Sequence, residues 1–167
     1  MSIQRVCLVF LLVALSACGS APADSDVSAN SSISLSSIPA EALNPDVRQA
    51  TIQQTVCVAG YTASVRPATS YTNGVKVRLL RQQGLPVASS GEYELDHLIP
   101  LALGGHPRNL ANLTLQPWVG ENGAKTKDRL ERRLQILVCA GKLPLDAARR
   151  EIYQDWRTAF RKYISQP

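Results

Sequence analysis

The sequence predicts an α+β fold: a short β-hairpin and the helix that follows it, wrapped by additional N- and C-terminal helices. Three observations carry that expectation. Glu92 to Leu95 and Leu113 to Leu115 are short, partly apolar stretches on either side of a turn-rich segment holding Gly104, Gly105 and Pro107, as two paired strands require. Beyond them, Leu130, Leu134, Leu137 and Val138 recur at helical spacing between Ala124 and Ala140, and Gly141 marks a stop. Ala148, Ile152, Trp156 and Phe160 repeat the i, i+4 pattern between Leu145 and Tyr163.

The N-terminal residues read differently. A single positive charge at Arg5 precedes an uncharged, largely apolar run from Val6 to Ala17. That run is shorter than the ~20 residues a membrane span needs, and it fits the apolar region of a secretory signal, residues 1–17. Leu15-Ser16-Ala17-Cys18 resembles a bacterial lipobox, which implies cleavage before Cys18 and lipidation of that cysteine. An ordinary signal peptide with a chance cysteine after small residues is the plainer alternative. Gly19, rather than an aspartate, follows the cysteine. In Gram-negative lipoproteins the resemblance then implies a lipid anchor in the outer membrane, facing the periplasm. Residues 18–40 are rich in Ser and Ala and poor in large apolar groups, so they read as a flexible tether to a folded domain at 41–167.

Within the domain, Asn44-Pro45-Asp46 is a helix start by its capping residue and early proline, and the helix is expected to run through DVRQATIQQ. The threonines, valines and Tyr61 between Cys57 and Arg66 suggest an extended segment ending at Pro67. Ser70 to Gln83 then offers a helix with Val75, Leu79 and Leu80 on one side and Gly84 as its stop. With Cys7 removed in the leader and Cys18 lipidated, Cys57 and Cys139 remain in an exported domain, and a disulfide between them is expected. A two-cysteine metal site would lack any CxxC spacing. Closing so long a loop contributes ~3–5 kcal/mol in the chain-entropy treatment.

Net charge is +5, and the excess lies late, in AKTKDRLERRL and AARREIYQDWRTAFRKY. Arginine-rich helices are usually solvated faces, so this charge permits a polyanionic partner, nucleic acid or an anionic membrane, without establishing one.

The chemistry concentrates in EYELDHLIPLALGGHPRNLANLTLQ, which contains both histidines of the chain. Phosphodiester hydrolysis needs a carboxylate to hold a divalent cation, a neutral imidazole to take a proton from water, and a polar group to keep the imidazole in place. Asp96, His97 and Asn112 supply these in order. Adjacent residues of a regular strand face opposite ways, so Asp96 and His97 share one site only if the chain bends there. Ile99-Pro100 and Gly104-Gly105 suit such a bend. His106 has no partner at useful spacing and is expected in solvent. Asn109 competes with Asn112, but Asn112 stands directly before Leu113-Thr114-Leu115. Trp118 and Trp156 read as core or interface anchors.

ELDHLIPLALGG followed by NL resembles the HNH endonuclease signature, the ββα-metal nuclease motif. With GYTASVRP, YTNGVK, KDRLE, VCAG and a closing DW, it resembles a group of small secreted bacterial HNH-type proteins over most of residues 45 to 157. The resemblance implies a ββα-metal (HNH-like) core and metal-dependent, nonspecific endonuclease activity on nucleic acid, DNA by default, outside the cytoplasm. It implies Asp96 as metal ligand, His97 as general base and Asn112 as brace of the histidine loop. For a further ligand, Asn122 and Asp128 compete, the latter with Lys127 contacting phosphate. Lys125, Arg129, Arg132 and Arg133 would then line a phosphate track. Oxygen donors favour Mg²⁺, with Mn²⁺ an alternative and Zn²⁺ if a histidine coordinates. The competing reading is an HNH-like fold without chemistry, a nucleic-acid-binding or envelope-structural lipoprotein.

Overall fold

A computed structural model describes residues 38–164. The signal peptide, the lipidation at Cys18 and nearly all of the tether lie outside the described residues. The fold is α+β, with helices α1 (Tyr61–Val65), α2 (Thr69–Gln82), α3 (Ala124–Cys139) and α4 (Leu145–Tyr163) around one hairpin of β1 (Tyr93–His97) and β2 (Leu113–Pro117). The two strands pair antiparallel, with Leu95 opposite Leu115 and His97 opposite Leu113. Among the described residues no helix is long and apolar enough to cross a membrane.

The core forms where α3 and α4 pack on the hairpin loop and on the segment before α1. Val47, Ile99, Leu103, Leu130, Leu134 and Ile152 are buried together there. Fully burying a Leu, Ile or Val side chain contributes about 1.5–3 kcal/mol, so this layer dominates the favourable side of folding. The Cys57 and Cys139 sulfurs are bonded, tying the end of α3 to the N-terminal segment.

Two expectations are corrected. The segment after Asn44 is not an α-helix but a series of 3₁₀ turns, the longest at Gln49–Gln54. Local side chains compete with a regular helix there. The Asn44 side chain accepts from the Asp46 N–H at 3.0 Å, and the Thr51 hydroxyl accepts from the Arg48 N–H at 2.9 Å while donating to the Asp46 carbonyl at 2.7 Å. The stretch from Cys57 to Arg66 is not extended: Gly60, at φ +84°, turns the chain into α1. Arg66, directly before Pro67, takes the extended conformation that proline imposes on its predecessor.

α4 covers the expected span but breaks at Asp155, whose φ −159° and ψ 92° lie outside the helical region. Its carboxylate caps the last turns of α4, accepting from the Arg157 N–H at 3.0 Å and from the Thr158 hydroxyl at 2.6 Å. A capping aspartate inside a helical period lets the second half start afresh. Arg149, in the charge-rich stretch read as solvated, is buried instead. Its guanidinium donates to the Leu103 carbonyl at 2.8 Å and the Val47 carbonyl at 2.9 Å, stitching α4 to the hairpin loop and the N-terminal segment.

Candidate active site

β1 carries Asp96 and His97 as its last two residues, both still paired with β2. The expected bend between them is absent. Asp96 turns toward α3, where Lys127 meets it, and His97 lines a cavity shared with α2. Both nevertheless line one cavity, which shares Arg66, Glu94 and His97 with the cavity beside α2, so the two form a cleft around His97.

The loop after β1 is held by Asn112, which is fully buried. Its Oδ1 accepts from the Ile99 N–H at 2.8 Å, and its Nδ2 donates to the carbonyls of Ile99 and His106 at 3.0 and 3.1 Å. One amide thus closes both ends of the loop. Gly105 is required beside it, because a Cβ there would stand 1.8 Å from the Ile99 carbonyl oxygen. Asn109 does something else, capping the turn before β2 by accepting from the Ala111 N–H. His106 is half-buried rather than in solvent: its Nδ1 accepts from the N–H groups of Arg108 and Asn109, which shapes the loop.

That loop presents the Pro107 carbonyl to His97 Nε2 at 3.2 Å. A carbonyl only accepts, so Nε2 carries the proton and Nδ1 keeps its lone pair. Burial pushes the His97 pKa below 6.5, against the Pro107 bond and Asp96, which favour the charged form. At neutral pH the imidazole is therefore neutral, with Nδ1 able to accept a proton.

Lys127, expected at the phosphate, is instead a buried structural cation. Its ammonium donates to Asp96 Oδ2 at 2.9 Å, the His97 carbonyl at 2.8 Å and Glu131 Oε1 at 2.6 Å, using all three N–H bonds. Burial opposes this charge, but the Glu131 and Asp96 carboxylates outweigh it and hold its pKa above the ordinary lysine value. One ammonium between two carboxylates leaves an excess negative charge. Burial, and then Asp96, raise the Glu131 pKa despite Lys127. Glu94 and Asp128 line the same wall. Burial together with Asp96, Asp128 and Glu131 pushes Glu94 up to about 7, and burial with Asp96 raises Asp128.

Of the two proposed further ligands, only Asp128 reaches this cleft. Asn122 lines other cavities and accepts a hydrogen bond from Arg157 Nε. Among the α3 cations, Arg132 borders the site. Arg129 stacks on Phe160 in a different cavity, and Lys125 and Arg133 are exposed away from the cleft. Sequence reasoning missed Glu94, Glu131 and Arg66. For the first two a signal existed: Glu94 shares a strand face with Asp96, and Glu131 stands one helical turn from Lys127. Nothing local marks Arg66.

A hard divalent cation would want oxygen donors, and this wall has four carboxylates. As placed, they do not fit one. Asp96 Oδ1 accepts from the His97 N–H at 2.7 Å and Oδ2 faces the Lys127 ammonium. Among the described residues no three acidic, histidine or cysteine side chains converge to chelate a metal.

No protein-family model matches the chain, and neither the curated proteins nor the solved structures give a significant match.

Proposed function

We propose that the protein hydrolyses phosphodiester bonds of nucleic acid outside the cytoplasm, the reaction of the ββα-metal nucleases its sequence resembles, with His97 as general base. The observation that carries this reading is the state of His97: Nε2–H bonded to the Pro107 carbonyl, Nδ1 without a hydrogen-bond partner among the described residues, and a pKa lowered by burial. Water bonded to Nδ1 gives up its proton as its oxygen attacks phosphorus; the sugar oxygen leaves and is protonated from solvent. Lys127 and Asp96 hold the His97 backbone, and Asn112 holds the loop that orients the ring. No step here runs through a metal, since the carboxylates as placed do not chelate one.

A second reading, a nucleic-acid-binding protein without chemistry, is favoured by one observation: the Lys127 ammonium against Asp96, where the resemblance implies a metal ion. Cleavage of plasmid DNA by the purified full chain, with Mg²⁺, Mn²⁺ or EDTA and beside His97→Ala, separates the two. Cutting lost in His97→Ala supports hydrolysis, and its response to EDTA answers the metal question. No cutting from a folded chain that binds DNA supports the second reading.

A further inference from the structure

The cleft around His97 is polarised. Its α3 side is walled by four acids, Glu94, Asp96, Asp128 and Glu131, against two cations, Arg66 and Arg132. Its α2 side, a cavity of about 200 Å³, is bordered by Arg66, Lys76 and Trp118, with Glu94 as its one acid. A polyanion is repelled by the first wall and attracted by the second. We infer that the α2 side is a binding site for single-stranded nucleic acid, in which Arg66 and Lys76 hold phosphates and Trp118 stacks a base. The inference rests on the hydrolytic reading for its link to catalysis, and it moves the phosphate track from α3, where the charge runs of the sequence suggested it, to α2.

Arg66 is the pivot of this site because it borders both halves of the cleft, next to His97. Its backbone is held extended between the end of α1 and the buried Pro67. Among the described residues neither Arg66 nor Lys76 takes part in an ion pair, so both charges remain for a ligand. Trp118 is half-buried just past β2, and its backbone N–H donates to the Glu92 carbonyl at 3.0 Å, which holds the chain that carries the ring. An aromatic ring bordering the same cavity as two cations is how sequence-tolerant single-strand sites are built. Stacking needs an unpaired base, and a duplex keeps its base faces covered. The site therefore favours a single strand. Lys125, Arg129 and Arg133 border neither half of the cleft.

The test uses the full chain carrying His97→Ala, so that the probe survives, and a fluorescein-labelled oligothymidine followed by anisotropy across a salt series. Lys76→Ala is expected to weaken binding several-fold and to lower the slope of log K against log salt by about 0.7. Trp118→Ala is expected to weaken it by roughly fivefold or more, while Trp118→Phe, which keeps a ring, retains most of the affinity. The duplex of the same length binds more weakly. The inference is overturned if the chain does not bind the strand, or if Lys76→Ala and Trp118→Ala leave affinity and slope unchanged. It is equally overturned if the duplex binds as tightly, or if Lys125→Ala and Arg133→Ala carry the loss instead. Hydrolysis of bis(p-nitrophenyl) phosphate by the chain with His97 intact reads the catalytic proposal separately. Strand binding that passes these tests without turnover sustains the site and removes only the chemistry.

Discussion

Lys127→Met removes one charge from a buried polar cluster while keeping an unbranched apolar stem. The Lys127 side chain is 3% exposed and its partners Asp96 and Glu131 are 12% and 18% exposed, so water replaces the lost ammonium poorly. Removing one partner of a buried ion pair costs about 3–5 kcal/mol, because the other charge stays behind. Here two carboxylates and the His97 carbonyl lose their donor together. Glu131, already raised by burial, recovers part of the cost by taking up a proton. We expect a net loss of about 3 kcal/mol near neutral pH, a fall in Tm of roughly 10 °C for a domain of this size. The pH dependence comes from the sign of the change. Without the ammonium, the folded-state pKa of Glu131, already raised by burial, rises further above its unfolded value. The folded variant then binds protons that the unfolded chain has released, so its stability falls as pH rises through that window and is regained on acidification. Urea unfolding followed by tryptophan fluorescence at about pH 5 and about pH 7.5 measures both effects, and Lys127→Met/Glu131→Gln should recover part of the loss. A deficit below about 1 kcal/mol at the higher pH, the size typical of exposed pairs, would refute the reasoning. So would a deficit that does not shrink on acidification.

Asn112→Ala leaves the Ile99 N–H and carbonyl and the His106 carbonyl without their partner, and should cost about 3 kcal/mol or more by urea unfolding, with loss of hydrolysis as the His97 loop loosens. Gly105→Ala should be worse, since its Cβ would meet backbone at 1.8 Å; circular dichroism of the purified variant checks whether it folds. Reducing the Cys57–Cys139 bond, which spans 82 residues, should cost about 4.5 kcal/mol in the chain-entropy treatment. An unchanged urea midpoint in Cys57→Ser/Cys139→Ser would contradict that. Because burial lowers the His97 pKa, kcat/KM for bis(p-nitrophenyl) phosphate should rise with pH and level off with a midpoint below 6.5. A midpoint above that value would mean that His97 gains more from Asp96 than it loses by burial.

Several parts of this fold are legible one residue at a time. α2, α3 and α4 follow from apolar spacing and from stops at Gly84 and Gly141. The hairpin follows from strands on either side of a glycine loop, and Cys57 with Cys139 from elimination. Its place before β2 favours Asn112 over Asn109, and Asn112 is the residue that closes the loop. Two of the failures share a physical cause. The 3₁₀ turns after Asn44 and the break at Asp155 arise where Asn, Thr and Asp side chains take backbone hydrogen bonds that a pattern of apolar positions does not register.

The sequence by itself determined periodicity, turns, caps and the adjacency of Asp96 to His97, because each depends on neighbours within a few positions. Only the tertiary structure decided which charges leave water. Lys127 and Arg149 look like their solvated neighbours along α3 and α4, but Lys127 meets an acid 31 residues earlier and Arg149 a carbonyl 102 residues earlier. The same holds for Arg66 and Asp128, brought to one cleft from α1's end and from α3. Desolvation and Coulomb energy depend on distance through space, and a linear pattern carries that distance only where the chain folds back on itself locally.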